Sequence, residues 1–222
     1  MLKRAIFDYI KCHTYHPVTK KILEENQYAY VEHLQLCRCP VSDVYLGILD
    51  LWMNGELRQR MTKPLYHISM CATLSNGKII RVEKTPIIHF EENPYHKGES
   101  KEIQHIPTIT FGELLEKTHL EMGDKDFFSY SLLNNNCGHF IERILNTNGL
   151  NTPEIQTFLY QNLRIFEVGH ELFFKKNYIW TDLVSILSYN SINSLSLLSE
   201  IQNPFQTQII KKLKDSKENS YA

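Results

Sequence analysis

The sequence lacks the features that define several broad classes of protein. Its 24 lysines and arginines balance 25 aspartates and glutamates, for a formal net charge of −1, and they are scattered, so nucleic-acid binding is not expected. The longest apolar run, residues 44–53, contains Asp50 and is far shorter than the roughly 20 residues that cross a bilayer, so no transmembrane helix is expected. The chain also has no glycine-rich phosphate loop and no Gly-x-Ser-x-Gly elbow, which are the marks of many nucleotide-binding proteins and serine hydrolases.

Cysteine is too sparse and too irregularly spaced to form a disulfide framework. The five cysteines are an odd number without framework spacing, and the N-terminal Met-Leu-Lys-Arg leads into no apolar signal core. The His-x-x-His pair at His13 and the Cys-x-Cys pair at Cys37 also lack the familiar spacing of zinc ligands. We therefore expect an intracellular, cytoplasmic protein that uses neither a metal nor an organic cofactor.

The chain does contain enough apolar sequence for one globular core. Of its 222 residues, 42% are hydrophobic and 22% are charged, which are ordinary proportions for a folded domain. The patterns described below predict an α+β fold in three parts. These are a helical N-terminal extension over residues 1–35, a central domain over 36–152, and a helical C-terminal extension with a charged, frayed tail over 153–222.

Apolar spacing and capping residues predict the helices and loops of the central domain. Apolar residues at three- and four-residue steps predict a helix over residues 41–59. The sequence Thr-Phe-Gly-Glu at 110–113 is a capping-box pattern that predicts a helix ending near Gly123. We expect an extended aromatic segment over residues 126–133 and a polar loop over residues 91–104.

Residues 65–85 alternate between apolar and polar side chains around a Ser-Asn-Gly turn, which is typical of a β-hairpin. If Leu74 faces Lys78 across a three-residue loop, one face of the hairpin is apolar, whereas a two-residue loop would mix the two kinds of side chain on both faces. The first register is therefore predicted. Its apolar face carries Ile68, Met70, Ala72, Leu74, Ile80 and Val82, with Lys78 and Lys84 at the ends. Its polar face carries His67, Ser69, Cys71, Thr73, Ile79, Arg81, Glu83 and Thr85.

Cys137 is the first candidate for a catalytic residue. It follows three asparagines that resemble a turn and helix cap, so it stands at the first turn of a helix predicted to end near Asn146. A thiolate at this position is stabilised by unpaired backbone N–H groups and by the helix dipole, which makes it a competent nucleophile. The alternative is that Cys137 is a small buried apolar residue, as many free cysteines are.

His67 and Glu83 are the candidates for the base and for the residue that orients it. In the preferred register they are diagonal neighbours on the polar face, close enough to touch because glutamate is long. A carboxylate that holds one ring nitrogen leaves the other free to accept the thiol proton. His89 is the second choice for the orienting residue. The alternative to a catalytic role is that His67 and Glu83 form a solvated cross-strand pair with no function. His139 points away from Cys137 on the helix, so we interpret it as structural.

The sequence around Cys137 resembles the nucleophile motif of a known family. Residues 135–141, Asn-Asn-Cys-Gly-His-Phe-Ile, are similar to the Asn-Cys-x-His-Phe motif of circularly permuted papain-like thiol hydrolases of the lecithin–retinol acyltransferase and NlpC types. In those families a strand histidine and a polar residue on the next strand precede the cysteine, and His67, Glu83 and Cys137 have this order. The stretches Arg-Cys-Pro-Val, Leu-Tyr-His and Val-Glu-Lys also look like members found in poxviruses and giant DNA viruses. The resemblance covers roughly residues 36–150.

The resemblance implies an activity and a set of roles. It implies a permuted papain-like catalytic domain over residues 36–152, in which Cys137 is the nucleophile, His67 the base and Glu83 the orienting residue. The reaction would be acyl transfer from a peptide, another amide, an ester or a lipid through a thioester, in a viral protein of the host cytoplasm or the virion. The acyltransferase members have a shorter hairpin and usually a second histidine where this chain has Glu83.

That departure leaves several alternatives open. Lipid, peptide and ubiquitin-like substrates all remain, as do hydrolysis and transfer to another acceptor. A competing interpretation is a catalytically silent interaction module that keeps the fold. In either case the terminal helices are candidates for docking a protein partner.

Overall fold

The computed structural model describes residues 14–41, 46, 59, 61–85, 87–94, 98–130 and 134–161. Most of the helix predicted over residues 41–59, residues 1–13 of the predicted N-terminal extension and most of the predicted C-terminal extension lie outside these described residues. Within them, the helices are α1 (Pro17–Asn26), α2 (Phe111–Phe128), α3 (Cys137–Thr147) and α4 (Pro153–Leu159). The strands are β1 (Val31–Pro40), β2 (Tyr66–Leu74), β3 (Ile79–Lys84), β4 (Ile88–Glu92) and β5 (Glu99–Ile103).

The five strands form a small antiparallel sheet in the order β4-β3-β2-β1-β5. Every neighbouring pair of strands runs antiparallel. Helices α2 and α3 pack against each other, and α3 also packs on β2 and β3. The α+β class predicted from the sequence is therefore confirmed for the described part of the chain.

The hairpin of β2 and β3 has the predicted register. The N–H of Leu74 donates to the carbonyl of Lys78 at 2.9 Å, and the ladder continues from Thr73 opposite Ile79 to Ser69 opposite Glu83. Gly77 occupies the turn with φ +81°, a conformation that favours glycine. The six apolar residues predicted for one face are all fully buried: Ile68, Met70, Ala72, Leu74, Ile80 and Val82. The register prediction is confirmed.

The structure corrects the sequence interpretation of β1 and β5. β1 lies between β2 and β5 and begins at Val31, so the boundary predicted between residues 35 and 36 falls inside this strand. A bulge between Val31 and His33 interrupts its alternation and hides the strand pattern. The loop predicted over residues 91–104 is wrong at residues 91 and 92, which end β4, and where it covers β5. That strand is at the edge of the sheet and buries only Ile103, so its sequence is polar rather than alternating.

Helix α2 has the predicted start but a different end. Thr110 and Glu113 form the reciprocal capping box expected from the sequence. Gly123, with φ +71°, interrupts the helix where its end was predicted, but helical structure resumes and continues to Phe128. The extended conformation predicted from residue 126 is therefore wrong for Phe127 and Phe128. Both rings are buried in edge-to-face contacts with Tyr15, and this packing favours a helical turn.

Candidate active site

Cys137 is the first residue of helix α3 and is held there by a reciprocal cap. The side-chain oxygen of Asn136 accepts the N–H of His139 at 3.1 Å, and the His139 ring nitrogen Nδ1 accepts the N–H of Asn136 at 3.5 Å. His139 therefore has a structural position, as expected. The backbone N–H groups of the first turn have no helical carbonyl before them, so the Cys137 side chain lies beside donors that are not used within the helix and beside the positive end of the helix dipole.

The Cys137 thiol lies beside His67, the histidine predicted as its base. The two side chains are close enough to interact electrostatically. The N–H of Ile68, the residue after His67, also donates to Cys137 Sγ at 3.5 Å, and a further backbone hydrogen bond comes from Gly138. Cys137 itself is only 7% exposed. The start of β2 and the first turn of α3 therefore enclose the sulfur between a ring and two backbone donors.

Glu83 holds the other side of the His67 ring. The Nε2 atom of His67 lies 3.1 Å from Glu83 Oε2, which leaves Nδ1 as the ring nitrogen for the thiol. Glu83 is 4% exposed and lies diagonally from His67, as the confirmed register requires. A buried carboxylate in this position fixes the ring orientation and tautomer.

His89 lies on the far side of the same carboxylate. It is directly opposite Glu83 in the pairing of β3 with β4, and its Nδ1 atom is 3.5 Å from Glu83 Oε1. Arg81 Nε is 3.7 Å from Oε2. Glu83 is thus the residue bonded to His67, and His89 and Arg81 help to hold Glu83.

The charges of this cluster support one another. Burial disfavours the Cys137 thiolate, but the charge of His67 and the backbone donors outweigh it, so the pKa of Cys137 is lowered. Burial also opposes the imidazolium, yet Cys137 and Glu83 together raise the pKa of His67 to about 10. Desolvation opposes the charged form of Glu83, but the hydrogen bond to His67 and the neighbouring His89 and Arg81 hold the pKa of Glu83 well below its usual range. The arrangement therefore favours a thiolate–imidazolium pair braced by a carboxylate.

Gln161 is a polar residue near the start of α3 that the sequence did not indicate. Its side-chain oxygen accepts the N–H of Tyr66 at 2.7 Å. Its Nε2 atom lies 3.9 Å from where a Cβ on Gly138 would stand. Gln161 follows α4 in sequence, and the guanidinium of Arg38 holds that helix end by donating to the Phe158 carbonyl at 3.1 Å. No local motif marks Gln161, because only the packing of α4 against the strand ends brings its amide to this place.

Metal-binding clusters and membrane-spanning helices are absent from the part of the chain that the structure describes. In these ranges no group of three or more His, Cys, Asp or Glu side chains is arranged to hold a metal ion. None of the described helices combines the length and apolar character needed to cross a membrane. Comparison with protein-family models, curated proteins and solved structures finds no match.

Proposed function

We propose that the chain is a cysteine-dependent hydrolase or acyltransferase with a permuted papain-like fold. The observation that carries the proposal is the position of Cys137 beside His67, whose ring is bonded in turn to a buried carboxylate. The cysteine heads a helix packed on an antiparallel sheet, and the base and orienting residue precede it in the chain. This combination of a thiol at a helix start, a base and an orienting group is the arrangement that nucleophilic catalysis requires.

The roles of the three residues follow from their contacts. The Cys137 thiolate attacks the carbonyl carbon of an amide, ester or thioester, and the His67 imidazolium donates its Nδ1 proton to the departing amine, alcohol or thiol. The resulting thioester is then attacked by water or another acceptor, whose proton passes to His67 as the thiolate leaves. Glu83 keeps the ring oriented through both steps and stabilises its charged form.

Two kinds of donor are candidates to bind the oxyanion of the tetrahedral intermediate. The N–H of Cys137 belongs to the first turn of α3, where no helical carbonyl accepts it. The amide of Gln161 stands beside Gly138, with its oxygen committed to Tyr66 and its nitrogen turned toward the helix start. Donors fixed in advance of the reaction are worth about 2.7–4 kcal/mol each where one has been removed from such a site.

Trapping of the acyl-enzyme tests the proposal. The full chain is incubated with p-nitrophenyl acetate, p-nitrophenyl octanoate and a fluorogenic aminoacyl amide, quenched in acid and digested for mass spectrometry. We expect an acyl adduct on the peptide that contains Cys137, and its loss in Cys137→Ala and His67→Ala. Cys39→Ala is the matched control because Cys39 lies opposite His67 on β1 but is not part of the cluster. A preference for octanoate favours a lipid substrate, and a preference for the amide favours a peptide.

Two results would count against the proposal. An adduct that forms equally well in His67→Ala would mean that His67 does not activate the thiol. The absence of any adduct with all three substrates would favour the catalytically silent interaction module.

A further inference from the structure

The last two residues of β3 serve opposite faces of the sheet. Successive side chains of a strand point to opposite sides, so Glu83 faces His67 while Lys84 faces the helices. Lys84 is fully buried, although lysine is almost never buried without partners. The catalytic cluster described above does not use it.

Lys84 binds the segment that leads to the nucleophile. Its Nζ atom donates to the carbonyl of Asp126 at 3.0 Å and to the side-chain oxygen of Asn135 at 3.2 Å. The ammonium also lies 4.9 Å from the ring centroid of Phe140, on the second turn of α3. One side chain therefore contacts the end of α2, the residue before the α3 cap, and α3 itself.

Asn135 completes this connection. Its Nδ2 atom donates to the Asp126 carbonyl at 2.7 Å and to the Ser129 carbonyl at 2.9 Å. Asn135 immediately precedes the capping residue Asn136, and Cys137 comes next. The position of Asn135, shared between Lys84 and α2, thus sets where the helix begins and where its first side chain projects.

We propose that Lys84 is a positioning residue for Cys137, so that Glu83 and Lys84 place the base and the nucleophile from opposite faces of one strand end. The proposal rests on the proposed function, because it assigns Lys84 to the alignment of the Cys137–His67 pair. It assigns no contact between Lys84 and the substrate. Without Lys84, Asn135 keeps its bonds to α2 but loses the one that ties the start of α3 to β3.

The chemistry of the site favours a specific task over simple packing. Burial lowers the pKa of Lys84 to about 7, against the opposing charge of Asp126. Within the part of the chain that the structure describes, the charge of Lys84 also acts on His139 of α3, whose pKa is lowered mainly by burial. A methionine would fill a similar volume without this desolvation cost. What a methionine cannot supply is the hydrogen bond to Asn135.

The test measures the reactivity of Cys137 rather than stability alone. Full-length parent, Lys84→Met, Asn135→Ala and the double variant are treated with iodoacetamide from pH 5 to pH 9, and the rate at Cys137 is followed by peptide mass spectrometry. Lys78→Met is the control, because Lys78 pairs with Glu92 at the other end of β3. We expect Lys84→Met and Asn135→Ala to raise the midpoint of the Cys137 pH profile by at least about one pH unit, as alignment with His67 is lost. The double variant should show no further shift, and Lys78→Met should match the parent.

The outcomes separate this inference from the proposed function. A parent profile with a low midpoint that is unchanged in folded Lys84→Met and in Asn135→Ala would overturn the positioning role and leave the proposed function standing. If the alkylation rate of Cys137 in the parent has the pH midpoint of an ordinary thiol, near 8.5, both the positioning role and the proposed function are overturned. If Lys84→Met does not fold, an unchanged midpoint in folded Asn135→Ala still overturns the positioning role, because that variant removes the Lys84 bond together with the Asn135 bonds to α2.

Discussion

The buried lysine should give the protein a pH dependence of stability that Lys84→Met removes. Lys84 titrates at about pH 7 in the folded protein but near 10.4 in an unfolded chain. Between these values the unfolded state binds more protons, so the free energy of unfolding should rise with pH by up to about 1.4 kcal/mol per pH unit. From pH 7 to pH 8.5 this amounts to about 2 kcal/mol.

The Cys137–His67 pair changes the pH dependence of the free energy of unfolding only slightly in the same interval. In the folded protein the proton resides on His67, and in the unfolded chain it resides on the thiol of Cys137, so both states bind one proton until the free thiol titrates near pH 8.5. This remains true if the pair is disrupted by Lys84→Met. The difference between parent and variant therefore reports Lys84 itself.

Urea unfolding followed by circular dichroism at half-unit steps from pH 7 to pH 8.5 measures this difference. Lys84→Met should be the more stable protein at pH 7, with an advantage that shrinks by about 2 kcal/mol at pH 8.5. Lys78→Met should keep the slope of the parent. Parallel curves for parent and Lys84→Met, within about 0.3 kcal/mol, would refute the argument, because they would mean that Lys84 stays protonated in both states throughout this interval.

Three further outcomes are expected. In Glu83→Gln the pKa of His67, followed by NMR, should fall because a carboxylate that stabilises the imidazolium is lost; acyl transfer should decrease by much less than in His67→Ala, and an unchanged pKa would contradict the role of Glu83. Cys137→Ala should stay folded, with a loss of about 1 kcal/mol or less for the small cavity, and a collapse in thermal unfolding would favour a structural cysteine. Gln161→Ala should slow thioester formation by about a hundredfold or more if its amide contacts the oxyanion. Iodoacetamide alkylation of Cys137 should stay unchanged in this variant. Thioester formation at the same rate in Gln161→Ala and in the parent would remove Gln161 from the mechanism.

The parts of the fold that the sequence predicts well are those with a strong local signal. The hairpin register followed from keeping one face of β2 and β3 apolar, and the structure has the pairing of Leu74 with Lys78 that this requires. The start of α3 followed from the asparagines before Cys137, and Asn136 is the cap. These two predictions are sufficient to place His67 beside Glu83 and Cys137 at a helix start.

The parts that the sequence did not predict depend on long-range packing. The strand β5 is polar because it lies at the edge of the sheet and is hydrogen-bonded to a neighbouring strand along only one edge. A bulge in β1 interrupts the alternation of apolar and polar residues that would identify it as a strand. Lys84 stands at the end of an apolar face, where its charge resembles an ordinary exposed strand end, and its partners Asp126 and Asn135 are far away in sequence. Such contacts become visible only when the strand and the helices are placed together.

The coupling between Cys137 and His67 is tested most directly by the titration of the His67 ring. NMR of histidine-labelled protein should give a His67 pKa of about 10 in the parent chain. In Cys137→Ala the thiolate is gone while burial and Glu83 remain, so the same pKa should fall by more than about one unit. A His67 ring that titrates near 6.5 in both proteins would contradict the thiolate–imidazolium pair on which the account rests.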